Sequence, residues 1–139
     1  MIVLDTNVLS ELMRPSPDET VIRWLDSQQS AEVALTSITV AEILYGIERL
    51  PAGKRRSSFV EAAADLLENE FAGRIFPFCV QSGACYAAEA ATAEKQGRTV
   101  SMADTQIAAI CITHNATLAT RNIRDFENFP LGLVNPWQD

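Results

Sequence analysis

The chain opens with four apolar residues in a row, Met1-Ile2-Val3-Leu4, followed at once by an acid, Asp5. A strand that is apolar on both faces must be covered on both. Sheets of that kind are parallel, with helices above and below. Parallel strands need long crossovers, so such a start confines the rest of the chain to strands alternating with helices. The downstream pattern obeys that limit. Val33–Leu35 reads as a second strand and Arg74–Phe78 as a third, interrupted by Pro77. Thr117–Ala119 reads as a fourth and Leu133–Asn135 as a fifth, on an edge.

Helical patterns fill the intervals. A short helix is expected around Val8–Leu12, stopped by Arg14-Pro15-Ser16-Pro17. Asp18-Glu19 opens the next, with Val21, Trp24 and Leu25 on one face at helical spacing. Thr39 to about Leu50 carries Val40, Ile43, Leu44 and Ile47 on one stripe and is broken by Pro51-Ala52-Gly53. Lys54-Arg55-Arg56 begins a helix whose apolar face includes Phe59, Ala63, Leu66 and Leu67. Ser82–Gln96 is alanine-rich and closed by Gly97, a good C-terminal cap. Ser101–His114 is the most apolar helix, and Asn115 ends it. With 139 residues the chain reads as one α/β domain over 1–139, with no repeat or linker.

Charge and cysteine usage narrow the classes. The net charge is −7, which weakens the case for a general nucleic-acid binder with a basic footprint. It leaves room for an enzyme that meets phosphate through a metal and a few local cations, and it suits a basic protein partner. Three cysteines, Cys79, Cys85 and Cys111, show no metal-ligand spacing and read as small buried apolar side chains in a reducing compartment. No basic region precedes the first apolar run, so it does not read as a signal peptide. No apolar stretch approaches the ~20 residues needed to span a bilayer. A cytoplasmic protein without a membrane partner is expected.

Three acids carry the chemistry. Asp5, Glu42 and Asp104 each open a helical segment and are expected where a strand feeds a helix. In an open α/β sheet those junctions share one edge, the carboxyl ends of the strands, where such folds bind ligands. Carboxylates gathered there repel one another unless a cation joins them, and a hard divalent ion with oxygen ligands is the simplest one. Structural readings stand beside this. Asp5 is a good N-cap. Thr39-Val40-Ala41-Glu42 fits a capping box, and Ser101-Met102-Ala103-Asp104 resembles one. Among the cations, Arg14, Arg121 and Arg124 are the better phosphate candidates, while Lys54-Arg55-Arg56 reads as a solvated helix start. Trp24 and Trp137 read as core or interface. His114 is the only histidine, which leaves no pair of histidines to act as acid and base. Two other classes remain: a non-catalytic acidic module for a basic partner, and a metal-dependent phosphatase on a similar sheet.

Four segments, in order, carry a resemblance: Ile2-Val3-Leu4-Asp5-Thr6-Asn7; Thr36-Ser37-Ile38-Thr39-Val40-Ala41-Glu42 with Gly46; Ala103-Asp104-Thr105-Gln106-Ile107-Ala108-Ala109; and Leu118-Ala119-Thr120-Arg121-Asn122. Together with the tail Asn135-Pro136-Trp137, they resemble the PIN-domain ribonucleases, closest to the VapC-type toxins of toxin–antitoxin pairs in the FitB-like branch. The resemblance implies a parallel sheet of order 3-2-1-4-5 between helices. It implies an endoribonuclease that uses Mg²⁺ or Mn²⁺ and leaves a 5′-phosphate. Asp5 and Asp104 fall on its principal metal ligands and Glu42 on its third acid. Some relatives carry an acid after Thr-Arg where this chain has Asn122, and Asp125, three residues on, is the candidate fourth carboxylate. Thr6, Asn7, Thr120, Arg121 and Asn122 are expected to position carboxylates and substrate. The implied partners are an antitoxin with a basic C-terminal arm, an RNA substrate, operator DNA reached only through the antitoxin, and a second copy of the chain.

Overall fold

The protein was analysed as a computed structural model, which describes residues 1–138. The first strand, β1 (Ile2–Leu4), lies at the centre of a five-stranded sheet. The others are β2 (Val33–Thr36), β3 (Ile75–Phe76), β4 (Thr117–Ala119) and β5 (Leu133–Val134). Their order is β3-β2-β1-β4-β5 and every pairing is parallel, as the resemblance implies. β3 is shorter than expected because Pro77 has no amide hydrogen to continue the ladder.

Side chains alternate across the strands and divide the core in two. Leu4, Leu35 and Ala119 face one layer with Val8, Val21, Ile43 and Ile47. Val3, Ala34 and Leu118 face the other with Ile107, Ala108, Cys111 and Phe126. The first layer is built by α1 (Thr6–Leu12), α2 (Glu19–Asp26), α3 (Ser37–Glu48) and α4 (Lys54–Asp65). A π turn over Leu66–Glu70 extends α4. The second layer is built on α6 (Met102–Thr113), with α5 (Val80–Lys95) against it and the short α7 (Ile123–Phe126) beneath. Among the described residues no helix is long and apolar enough to cross a membrane.

Several local signals act as the chain implies. Gly97 takes φ +69° after α5, and Asn115 takes φ 51° after α6. The α3 stripe is narrower than expected. Ile43 and Ile47 are buried, whereas Leu44, a helical step of about 100° round from Ile43, is 43 % exposed. The cysteines also differ. Cys111 is buried, and burial pushes its thiol up to about 12. Cys79 is exposed, since it sits at the mouth of α5, where the Ser82 hydroxyl lowers its thiol pKa. All three are free thiols.

Candidate active site

The site begins where the central strand stops. Asp5 follows β1, and its N–H still donates to the Ala119 carbonyl at 2.9 Å, which locks the junction to β4. Its extended backbone turns the chain into α1, and its Oδ1 accepts from the Thr6 N–H at 2.8 Å. The N-cap reading is therefore correct but incomplete. Oδ2 accepts from the Thr120 hydroxyl at 2.8 Å and from the Asn7 amide at 3.3 Å, and the residue is only 5 % exposed. Burial pushes its pKa up to about 6, against the hydrogen bonds from Thr120 and Thr6, which lower it. The charges of Asp104 and Glu42 add a smaller upward push.

Glu42 is not a capping-box residue. The cap of α3 is Thr36, whose hydroxyl accepts from the Thr39 N–H at 3.1 Å, so Glu42 stands in the second turn. Its partner comes from α1. The Thr6 hydroxyl donates to Oε1 at 2.6 Å and lies 3.0 Å from the Thr39 hydroxyl. One threonine thus ties Glu42 to the peptide that caps on Asp5.

Asp104 arrives differently from the expectation. No strand precedes it; α6 follows α5 through a loop, and the N-terminus of α6 brings the acid to the edge. The Ser101 hydroxyl accepts from the Asp104 N–H at 3.0 Å, which is half of a capping box. Burial raises the Asp104 pKa, the Ser101 hydroxyl lowers it, and Asp125 and Glu42 raise it further. Asp125 is supplied by α7, capped at Asn122, whose carbonyl accepts from the Asp125 N–H at 3.1 Å. It makes no ion pair with Arg121 or Arg124. A depression of about 250 Å³ joins Asp104, Asp125 and Arg124.

Four acids from four elements thus share one edge, and none of them is in an ion pair among the described residues. No three of them yet close on a single point. An open arrangement is what like charges dictate for carboxylates alone, since each raises its neighbour's pKa. Hard oxygen donors at a helix-rimmed edge, with their charges unbalanced, have the chemistry that a divalent cation requires. The donor set therefore fits Mg²⁺ or Mn²⁺.

The neighbouring polar groups form a second network. The Asn7 Oδ1 accepts from the Arg121 N–H at 3.3 Å, and the Thr120 hydroxyl accepts from the Asn122 N–H at 3.0 Å. Thr6, Asn7 and Thr120 therefore hold the acids and the β4 loop in register, whereas Arg121 and Asn122 are exposed. If Asp125 supports the site, then for the metal-dependent RNA cleavage that the resemblance implies, Asp125→Ala should reduce activity more than Asn122→Ala and shift Mn²⁺ dependence to higher concentration. Titration of initial rates against Mn²⁺ checks this, and a fully active Asp125→Ala would make Asp125 a surface charge.

The cations are distributed unexpectedly. Arg14 is engaged by Glu11, a buried acid that the sequence reading passed over, at 3.2 Å. Glu11 also accepts from the Asp18 N–H at 2.9 Å. Its i,i+3 spacing to Arg14 was the available signal. Arg56 pairs with Glu48, and His114 stacks on Phe76 at the end of α6. Trp24 packs on the core, as expected. Trp137 also borders the core, but it supports Arg121 as well, whose guanidinium lies 4.9 Å from the ring centre.

A parallel α/β sheet with buried and half-buried acids at its carboxyl edge defines a class of site, and comparison places the chain within it. The PIN domain family model matches residues 2–130. The chain belongs to the PIN-domain family, in its VapC- and FitB-like branch. It is 41% identical to VapC ribonuclease Y4jK of Sinorhizobium fredii over 138 residues, 99% of each chain. It is also 41% identical to Toxin FitB of Neisseria gonorrhoeae over 139 residues, all of both chains. The structure of FitAB bound to the IR36 DNA fragment superposes with a TM-score of 0.92, at 40% identity, covering 100% of this chain and 97% of that one.

Proposed function

We propose that the protein is a divalent-metal-dependent endoribonuclease and the toxin of a toxin–antitoxin pair. The observation that carries this reading is the edge itself: the charges of Asp104 and Glu42 act on buried Asp5, those of Asp125 and Glu42 act on Asp104, and none of the four acids is in an ion pair among the described residues. The similarity to a VapC ribonuclease and to Toxin FitB supports the same chemistry. Asp5 and Asp104 would hold Mg²⁺ or Mn²⁺. Such an ion neutralises phosphate oxygens and lowers the pKa of water. Glu42, oriented by the Thr6 hydroxyl, positions or deprotonates the attacking water, or takes a second ion. Thr120 and Asn7 fix the Asp5 carboxylate, as groups behind a metal ligand must. Arg121 and Asn122 meet the substrate, and the product carries a 5′-phosphate.

The partner is an antitoxin whose basic C-terminal arm covers this edge, with operator DNA bound through the antitoxin. The FitAB complex with DNA supports that arrangement. A homodimer working in the cytoplasm completes the reading. Purified protein should cleave structured RNAs with Mn²⁺ or Mg²⁺ and lose that activity in EDTA. Activity indifferent to EDTA would sink the metal reading, and no cleavage of any RNA in the panel would sink the nuclease reading. Expression alone should arrest growth, and co-expression of the neighbouring small gene should relieve it.

A further inference from the structure

A cavity of about 550 Å³ opens beside the acidic edge between α1, α3 and α4. Its size is in the range of small-ligand sites. Thr6 and Glu42 form its inner wall, so it shares a boundary with the proposed chemistry. Ile43, Ile47 and Phe59 line it with apolar surface, and Arg55 and Arg121 stand at its rim. Neither of these arginines is in an ion pair among the described residues, although the whole chain carries −7. Each lies instead over an aromatic ring, Arg121 over Trp137 at 4.9 Å and Arg55 over Phe59 at 5.8 Å.

Gly46 is the decisive detail. It lies in the middle of α3 and lines the cavity. A helix interior disfavours glycine. Nothing local requires it here: its φ is not positive, and a Cβ added to it would meet no atom within 4 Å. What the missing side chain leaves is room in the cavity.

We propose that this cavity receives the unpaired nucleobase adjoining the scissile phosphate, with Arg121 on its Trp137 platform and Arg55 at the rim meeting base and backbone. Apolar walls and guanidinium groups held over aromatic rings suit a base, and cations outside any ion pair on an acidic protein suit phosphate. A base inside a duplex cannot enter, so the substrate is single-stranded RNA or an exposed loop. This rests on the nuclease reading and adds to it where the strand lies.

The test is Gly46→Phe, which fills the cavity, removes no contact and replaces a helix-disfavoured residue. Its melting temperature should equal or exceed that of the native chain. Binding of fluorescein-labelled single-stranded RNA pentamers in EDTA, read by anisotropy, should weaken about tenfold or more, the scale of losing one stacked base. With Mn²⁺, KM should rise in parallel. An abasic nucleotide at one position beside the cleaved bond should weaken the native chain similarly and leave Gly46→Phe unchanged. Arg121→Ala should weaken binding with a reduced salt dependence. If the native chain cleaves RNA but neither Gly46→Phe nor any abasic position alters binding or KM, the cavity is not a base site. If Gly46→Phe instead displaces only an arginine-rich helical peptide and leaves RNA untouched, the groove serves a protein and the proposal is wrong. If the native chain neither binds nor cleaves RNA, the nuclease reading itself has failed and takes this one with it.

Discussion

Asp5→Asn should lower RNA cleavage on the order of a thousandfold and, at neutral pH, stabilise the metal-free protein. The first effect follows from the several kcal/mol of transition-state charge stabilisation that a lost metal ligand forfeits. The second follows from burial. Asp5 is raised from 3.8 to about 6, so the folded protein holds a proton that the unfolded chain has released. A raised carboxyl pKa makes stability fall with rising pH between those two values. The contribution is present below about 4 and lost as pH passes through 6, in total about 3 kcal/mol by the usual conversion. Asparagine carries no charge and keeps the N-cap bond from Thr6; its amide nitrogen gives up the acceptor that the Thr120 hydroxyl and the Asn7 amide use, at about 1 kcal/mol each, which leaves a net gain. Denaturant unfolding in EDTA at pH 4.5 and pH 7.5 should therefore show a drop for the native chain and little for the variant. Mn²⁺ should act oppositely, adding about 2.7 kcal/mol at a hundred times its Kd. A native chain whose metal-free stability rises between those pH values, or one that Mn²⁺ leaves unchanged, would remove Asp5 from the metal site.

Glu42→Gln separates chemistry from architecture. Glu42 is exposed and does not cap α3, so its replacement should move stability by no more than about 0.5 kcal/mol. Glutamine keeps an oxygen for the Thr6 hydroxyl but cannot accept a proton from water. Single-turnover cleavage should fall by about 10²–10⁴-fold, the range for a lost general base. Near-native rates would reduce Glu42 to a tie between α1 and α3.

The two acids show where sequence reading succeeds and where it stops. Asp5 was legible because a strand apolar on both faces ends at it, and both the cap and the edge follow from that local pattern. Glu42 fitted a capping box by spacing, yet Thr36 takes the cap. The helix starts as soon as β2 is released from its pairing, with the cap at Thr36 and not at Thr39 as the box implies. Asp104 was placed after a strand, although the preceding segment is a helix-to-helix loop. Its position at the edge comes from how α6 packs across the second face of the sheet, which spacing does not encode.

The sequence by itself determined the parallel α/β architecture, since doubly apolar strands, crossover-length helices and glycine or asparagine caps are local properties. It also determined that Asp5 and Asp104 stand at helix starts, because a residue type and its neighbours suffice there, whereas Glu42 lies a turn further into its helix than its spacing implies. Only the tertiary structure decided which hydroxyl serves which carboxylate, that Arg14 is spent on a buried Glu11 while Arg55 and Arg121 are not, and that Gly46 opens a cavity beside Glu42. The hydroxyl–carboxylate bonds bring groups tens of residues apart in the chain within a few ångströms, and the Arg14–Glu11 pair, although i,i+3, owes its weight to the burial of Glu11. Burial then sets the proton affinity of Asp5, a property of the surrounding packing that the sequence around Asp5 does not contain.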